Sequence, residues 1–193
     1  MKAVFASRNP HKVEQVEMLL PGVELIPLDD VAPGVELDEP FETFEQNAWA
    51  KASAVAEISG LPAIADDSGL EVDALAGEPG VRSARYSGSH ANDADNNRKL
   101  VAELQNLGEK DATCRYRCVA IYVDPEGHEI VAEGSCEGTV VLEGRGELGF
   151  GYDPHVVPSG ETRTMGEIPL EEKLRFSHRG HAFRELAERL ARL

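Results

Sequence analysis

Residues 63–88 read AIADDSGLEVDALAGEPGVRSARYSG, and this stretch sets the frame for the rest of the chain. The apolar run Leu61, Ala63, Ile64, Ala65 predicts a buried strand that delivers two adjacent carboxylates, Asp66 and Asp67, to its end, where Ser68-Gly69 turns the chain away. Carboxylates are rarely buried unless they are paired or bind a metal. Two of them at the lip of a buried strand point to a divalent cation, an activated water, or both. Taken alone, Asp-Asp-Ser also suits a surface turn. The wider segment weighs against that: it holds glycines at 69, 77, 80 and 88, a Pro79-Gly80 turn, and the cations Arg82 and Arg85.

A strand with helices on either side in sequence is the pattern of an α/β protein. Upstream, Ala3–Ala6 reads as a first strand, and Asn9-Pro10 as an N-cap with proline in the first helical position. Val13, Val16 and Leu20 mark the apolar face of that helix, which stops near Pro21-Gly22. Val23 to Leu28 reads as a short strand before an acidic, proline-rich loop. Thr43 and Gln46 form a T-x-x-Q capping box, and Phe44, Ala48, Ala52 and Val55 form the buried stripe of a helix ending at Gly60. Downstream, Asn92 to Leu107 predicts a helix with Leu100, Leu104 and Leu107 on one face. Thr113–Val123 and His128–Cys136 flank Asp124-Pro125-Glu126-Gly127 as a hairpin. Residues 144–160 are glycine-rich, and Ser177 caps a last helix with Phe183, Leu186 and Leu190 inward. Early strand–helix units beside a later hairpin imply a mixed sheet.

The totals bound what this fold does. A chain of 193 residues with 41% hydrophobic content predicts one soluble domain, residues 1–193, with a sizeable core. No apolar run nears the roughly 18 residues of a membrane span, and no cleavable apolar segment follows Met1-Lys2. The expected location is therefore cytoplasmic, with no membrane partner. A net charge of −16 argues against a nucleic-acid partner, which requires a basic face. A small anionic substrate remains compatible if the few cations gather at one site with a metal. The three cysteines, Cys114, Cys118 and Cys136, lack zinc-site spacing and read as core thiols.

Four further segments carry candidate chemistry. Ser7, Arg8, Asn9, Pro10, His11 and Lys12 lie where the first strand meets the first helix, and a helix N-terminus suits phosphate. The pattern is not a P-loop. On the second helix Asn47 and Lys51 share a face at i, i+4, and the acidic loop holding Glu36, Asp38, Glu39 and Glu42 precedes it. Gly149, Phe150, Gly151, Tyr152, Asp153 and Pro154 combine backbone freedom, aromatic rings for stacking on a base, and a carboxylate. Lys173 with Ser177, His178 and Arg179 adds potential cations near the last helix, arginine offering a planar donor fork.

In this order SRNPHK (7–12), TFEQNAWAKA (43–52), ADDSGLEVDAL (65–75), PGVRSARYSG (79–88), GFGYDP (149–154) and SHR (177–179) resemble the inosine triphosphate pyrophosphatase family, also called XTP/dITP diphosphatases. The resemblance covers almost the whole chain. It implies an elongated mixed sheet flanked by helices, two lobes with a central active-site cleft, a homodimer, a Mg2+ requirement, and hydrolysis of a purine nucleoside triphosphate to monophosphate and pyrophosphate. By position, Asp67 is similar to the general base and metal-site carboxylate, Glu39 to the second metal ligand, and Ser68 to a substrate-contacting serine. Ser7 to Lys12 and Lys51 resemble the phosphate-binding residues. Phe150, Gly151, Tyr152, Asp153, Lys173, His178 and Arg179 resemble the base-recognition and closing residues, with Arg179 expected to donate to a purine 6-oxygen and Asp153 to help satisfy the rest of the base. The segment departs from the family pattern at Gln46, where relatives often carry glutamate, and in the residues just before Thr43. A non-catalytic nucleotide-binding protein on the same scaffold would keep the phosphate and base contacts without the carboxylates, whereas both kinds are present here. An aspartyl-phosphate phosphatase would show Asp-x-Asp, and here the two aspartates are adjacent.

Overall fold

The computed structural model describes residues 1–192; Leu193, the last residue of the expected domain, lies outside the described residues. In chain order the elements are β1 (Lys2–Phe5), α1 (Pro10–Leu19), β2 (Glu24–Pro27), α2 (Leu28–Val31), α3 (Phe44–Ser59), β3 (Ala63–Val72), α4 (Asp93–Leu107), β4 (Asp111–Val123), β5 (Glu129–Val141), β6 (Val156–Pro158), α5 (Leu170–Lys173) and α6 (His178–Leu190). The strands form one six-stranded sheet in the order β2-β1-β3-β4-β5-β6. Pairings of β1 with β2 and with β3 are parallel, and β5 pairs antiparallel with β6, so the sheet is mixed as expected.

The local chemistry of the helices follows the sequence closely. Asn9 caps α1, its side chain accepting from the N–H of His11 and Lys12, with Pro10 beginning the helix. Thr43 accepts from the N–H of Gln46 at the start of α3, and Gly60 ends that helix with φ of 64°, a conformation that costs glycine little. Phe44, Ala48, Ala52 and Val55 are all buried. One face differs: Leu107, the final residue of α4, is 57% exposed while Leu100 and Leu104 are buried.

The strand holding the aspartates corrects a further expectation. Ser68-Gly69 does not turn the chain; β3 runs unbroken to Val72. The reason lies just beyond: Leu70 and Val72 are fully buried and Glu71 is not, a two-residue alternation that rewards continued extension. Asp66 and Asp67 therefore sit mid-strand, where neither can turn out to solvent freely. The second hairpin strand also continues past Cys136, to Val141.

Two compact units divide the described chain. One comprises Met1–Asp67, Cys118–Gly134 and Arg179 onward; the other comprises Ser68–Arg117 and Ser135–His178. The first has a core of Phe5, Val16, Leu20, Ile64, Ala120 and the α6 residues Phe183, Leu186 and Leu190. Burying such side chains stabilises by about 1.5–3 kcal/mol each, which anchors α6 and with it Arg179 in its first turn. The second unit has its own core, including Leu70, Val72, Leu100, Leu104, Tyr116, Tyr152 and Met165. All three cysteines are free thiols and buried. No helix among the described residues is long and apolar enough to cross a membrane.

Candidate functional site

In the first unit, a network of charges is built around the mid-strand aspartates. The side chain of Asp66 is fully buried. One of its oxygens, Oδ2, receives Lys12 Nζ at 3.1 Å and Arg179 Nε and Nη2 at 3.3 and 3.1 Å. Arg179 is 2% exposed, and its Nη1 donates to Gln15 Oε1 at 2.9 Å. Among the described residues, buried Asp66 Oδ1 has no hydrogen-bond partner. Burial opposes ionisation of Asp66, yet Lys12, Arg179 and Lys51 together hold its carboxyl well below the usual range. It is ionised at neutral pH.

Asp67 points its chemistry the other way. Asn47 Nδ2 donates to Asp67 Oδ2 at 3.0 Å, and the same amide is fixed by the backbone of Phe41, donating to its carbonyl and accepting from its N–H. Burial, reinforced by the charge of Glu39, pushes the Asp67 carboxyl up to about 6, against the pull of Lys51, Lys12 and the Asn47 hydrogen bond. Lys51 Nζ donates to Glu39 Oε1 at 2.5 Å and to the Asp66 carbonyl at 2.6 Å. Burial alone would lower the Lys51 pKa, but Glu39, Asp67 and Asp66 raise it, so this ammonium stays charged. A basic carboxylate poised near neutrality beside two lysines can take a proton from water while the lysines hold anionic groups.

A second cluster lies in the other unit. Lys173 Nζ donates to Asp153 Oδ2 at 2.7 Å, and the Tyr116 hydroxyl donates to Asp153 Oδ1 at 3.1 Å. The Tyr116 ring lies against the His178 imidazole, centroids 4.7 Å apart and planes 14° from parallel. Gly149 makes this possible: at φ of +83°, a Cβ there would stand 2.0 Å from Asp153 Oδ2 and 2.5 Å from Lys173 Nζ. The loop is tied further by Asp93, which accepts from Gly151 N–H, and by Asn97, which donates to the Gly151 carbonyl. The Tyr152 hydroxyl donates to the Ser83 carbonyl at 2.7 Å.

The expected site residues thus fall into two groups. Lys12, Glu39, Lys51 and Asp67 come together around Asp66, with Asn9 and Ser7 shaping the start of α1 (Ser7 Oγ accepts from Asn9 N–H). Pro10 begins that helix, and Pro10 and His11 are exposed. Arg8 does not join them: its guanidinium goes to Asp29 and to the carbonyls of Val35 and Ala32. Asp153, Lys173 and His178 gather around Tyr116, while Phe150 and Ser68 are half-buried and Tyr152 is buried. The two residues expected at the base edge have these partners in the structure. Arg179 is buried on Asp66 and Gln15, and both Asp153 oxygens are engaged by Tyr116 and Lys173. Sequence reasoning missed Gln15 and Tyr116. The signal for the first is a glutamine beside Val16 on the apolar side of a helix; for the second, an aromatic in step with Cys114 and Cys118.

The Ham1 family model matches residues 3–189, thereby spanning both units. A dITP/XTP pyrophosphatase from Geobacter sulfurreducens is 44% identical over 191 residues, covering 98% of this chain and 96% of the relative. The structure of a HAM1 protein from Coxiella burnetii superposes with a TM-score of 0.90 at 35% identity, covering 100% of both chains. A nucleoside-triphosphatase / dITP/XTP pyrophosphatase from Mycobacterium abscessus matches with a TM-score of 0.77 at 42% identity, over 98% of this chain and 99% of that one.

Proposed function

Because the chain belongs to the Ham1 family, we propose that it acts as a single pyrophosphatase domain, residues 1–193, on non-standard purine nucleoside triphosphates. Inosine, deoxyinosine and xanthosine triphosphates are hydrolysed to the monophosphate and pyrophosphate, which clears them from the nucleotide pool. The observation that carries this reading is Asp67, a buried carboxylate raised to about 6 and oriented by Asn47. Ionised Asp67 accepts the proton of the attacking water as its oxygen bonds to phosphorus and the α–β anhydride breaks. Lys12 and Lys51 neutralise the triphosphate, and the Asn9-capped N-terminus of α1 adds its partial positive charge. Ser7 and Ser68 contribute hydroxyls to the substrate.

The donor set fits a magnesium ion. Magnesium keeps several waters and binds through one or two carboxylates with substrate phosphates, so Glu39 and Asp67 suffice. The charge of Glu39 raises Asp67, and a bound cation would relieve that repulsion. When bound there, the ion would supply charge neutralisation on the phosphates. Arg179 acts through Asp66, keeping that neighbour ionised so that Lys12 stays in place. Phe150, Gly151 and Tyr152, with Asp153 and Lys173 shaping their loop, and His178 form the base-recognition group. The same reading carries a homodimer and a cytoplasmic location, and the net charge of −16 opposes any nucleic-acid partner.

Incubating the purified chain with inosine triphosphate and magnesium, and resolving the products by phosphorus NMR, tests the reaction class. Inosine monophosphate and pyrophosphate in equal amounts are expected. Inosine diphosphate with orthophosphate would refute it.

A further inference from the structure

We propose that Tyr116 is a positioning residue for base recognition, an inference that rests on the reading of His178 and the 149–153 loop given above. Tyr116 touches two segments that are distant in sequence. Its hydroxyl donates to Asp153 Oδ1 at 3.1 Å, and its ring stacks on His178 with centroids 4.7 Å apart and planes 14° from parallel. A near-parallel stack at this separation fixes the plane of the imidazole, because the offset-stacked geometry is the favoured one for flat rings. A buried carboxylate with one oxygen left unmet would be costly, so the phenol also holds Asp153 in the orientation that receives Lys173 on its other oxygen at 2.7 Å.

The placement of Tyr116 allows this. It lies on β4, at 6% exposure, within the core that also contains Tyr152 and Met165. A strand residue held in that core is a fixed point, whereas Asp153 opens a three-residue helical turn and His178 is the first residue of α6. One rigid side chain therefore gives the loop and the imidazole a common reference, so both are arranged before a base arrives. Preorganisation of this kind appears as affinity rather than as bond-breaking rate.

Two substitutions separate the two contacts. Tyr116→Phe keeps the stack and loses the hydroxyl; Tyr116→Leu loses both. The His178 ring C–H resonances of the intact protein, assigned with His178→Gln, should stay in place in Tyr116→Phe and move toward unstacked imidazole positions in Tyr116→Leu. Inosine triphosphate binding with a metal chelator present, so that no turnover is needed, should weaken by about 3–10-fold in Tyr116→Phe, the range of one net hydrogen bond. It should weaken further in Tyr116→Leu. In turnover, Tyr116→Phe should raise KM by a similar factor and leave kcat within about two-fold. Unmoved His178 resonances in Tyr116→Leu overturn the stacking role, and native affinity in Tyr116→Phe overturns the role of the hydroxyl. Should Tyr116→Leu not fold, Tyr116→Phe decides by itself, since a fall in kcat at unchanged affinity also contradicts positioning. A native protein that binds inosine triphosphate in a Tyr116-dependent way yet releases no pyrophosphate would sink the catalytic reading while leaving this one standing.

Discussion

Arg179 sets two donors, Nε and Nη2, on a single oxygen of Asp66 at 3.3 and 3.1 Å, across 113 positions of sequence. Both side chains are buried, so neither can turn to water for compensation. Breaking a buried pair by removing one partner costs about 3–5 kcal/mol, most of it the stranded charge. Lys12, also on Asp66 Oδ2, offsets part of that here.

Arg179→Ala should therefore lower unfolding free energy in urea by about 3 kcal/mol, whereas Arg189→Ala, which removes an exposed pair with Glu185, should cost under about 1 kcal/mol. Because the folded-state pKa of Asp66 is depressed, its stabilisation is present above the unfolded carboxylate range and is lost as pH falls through and below it. The gap between native protein and Asp66→Asn should accordingly narrow below about pH 4. Equal costs for Arg179→Ala and Arg189→Ala would show the buried pair to be energetically idle.

Asp67→Asn should separate function from stability in opposite directions. Turnover should fall by about 10²–10⁴-fold, the usual contribution of a general base. Stability at pH 7 should rise, because Asp67 is raised to about 6 in the fold and so carries an ionisation penalty there. The sign follows from linkage: between about pH 4 and 6 the unfolded chain releases this proton while the folded chain retains it, so the native protein loses stability as pH rises. The advantage of the variant should be absent at pH 4 and reach a plateau above pH 6. Calorimetric melts across that range check it, and a variant less stable than native at pH 7 would contradict the penalty.

The sequence revealed most where local chemistry and packing agree. Asn9-Pro10, Thr43 with Gln46, and the stripe Phe44, Ala48, Ala52, Val55 each lie where a cap and an apolar period point the same way, and the structure has helices there. Ser68-Gly69 misled because turn propensity is local, whereas Leu70 and Val72 are held by a core assembled from residues up to Met165. The candidate site divides along the same line. Glu39, Lys51 and Asp67 stand out by residue type and family pattern. The engagement of Arg179 with Gln15 and Asp66, and of Asp153 with Tyr116, depends on pairings between distant segments. No spacing rule along one chain carries that information.

Gly149→Ala should disrupt the 149–153 loop rather than merely stiffen it. Its φ of +83° is unfavourable for an L side chain, and the added Cβ would collide with the Asp153 carboxylate and the Lys173 ammonium. A loss of at least about 1–2 kcal/mol is expected from backbone strain alone. Inosine triphosphate affinity should fall more than 10-fold if the ion pair is what shapes the loop, on the scale where 1.4 kcal/mol is a factor of ten. Native melting and affinity in this variant would contradict the geometry.

Lys51→Met and Lys12→Met should each weaken inosine triphosphate binding while leaving the affinity for inosine, which has no phosphates, nearly unchanged. The two lysines reach the aspartates from different helices, Lys12 on α1 and Lys51 on α3. Parallel titrations of nucleoside and triphosphate check this. Equal losses for both ligands would remove the lysines from the phosphate site.

Base selection separates this activity from general triphosphate hydrolysis. A 6-oxo purine presents an acceptor beside an N1–H donor, and adenine inverts both, so a site shaped for the former leaves buried groups unpaired against the latter. The decisive measurement is kcat/KM for pyrophosphate release from inosine triphosphate and from adenosine triphosphate, under one set of magnesium and pH conditions. The account predicts that inosine triphosphate is favoured by several orders of magnitude, up to roughly 10⁴–10⁵. Comparable values for the two would contradict it, even with pyrophosphate as the product.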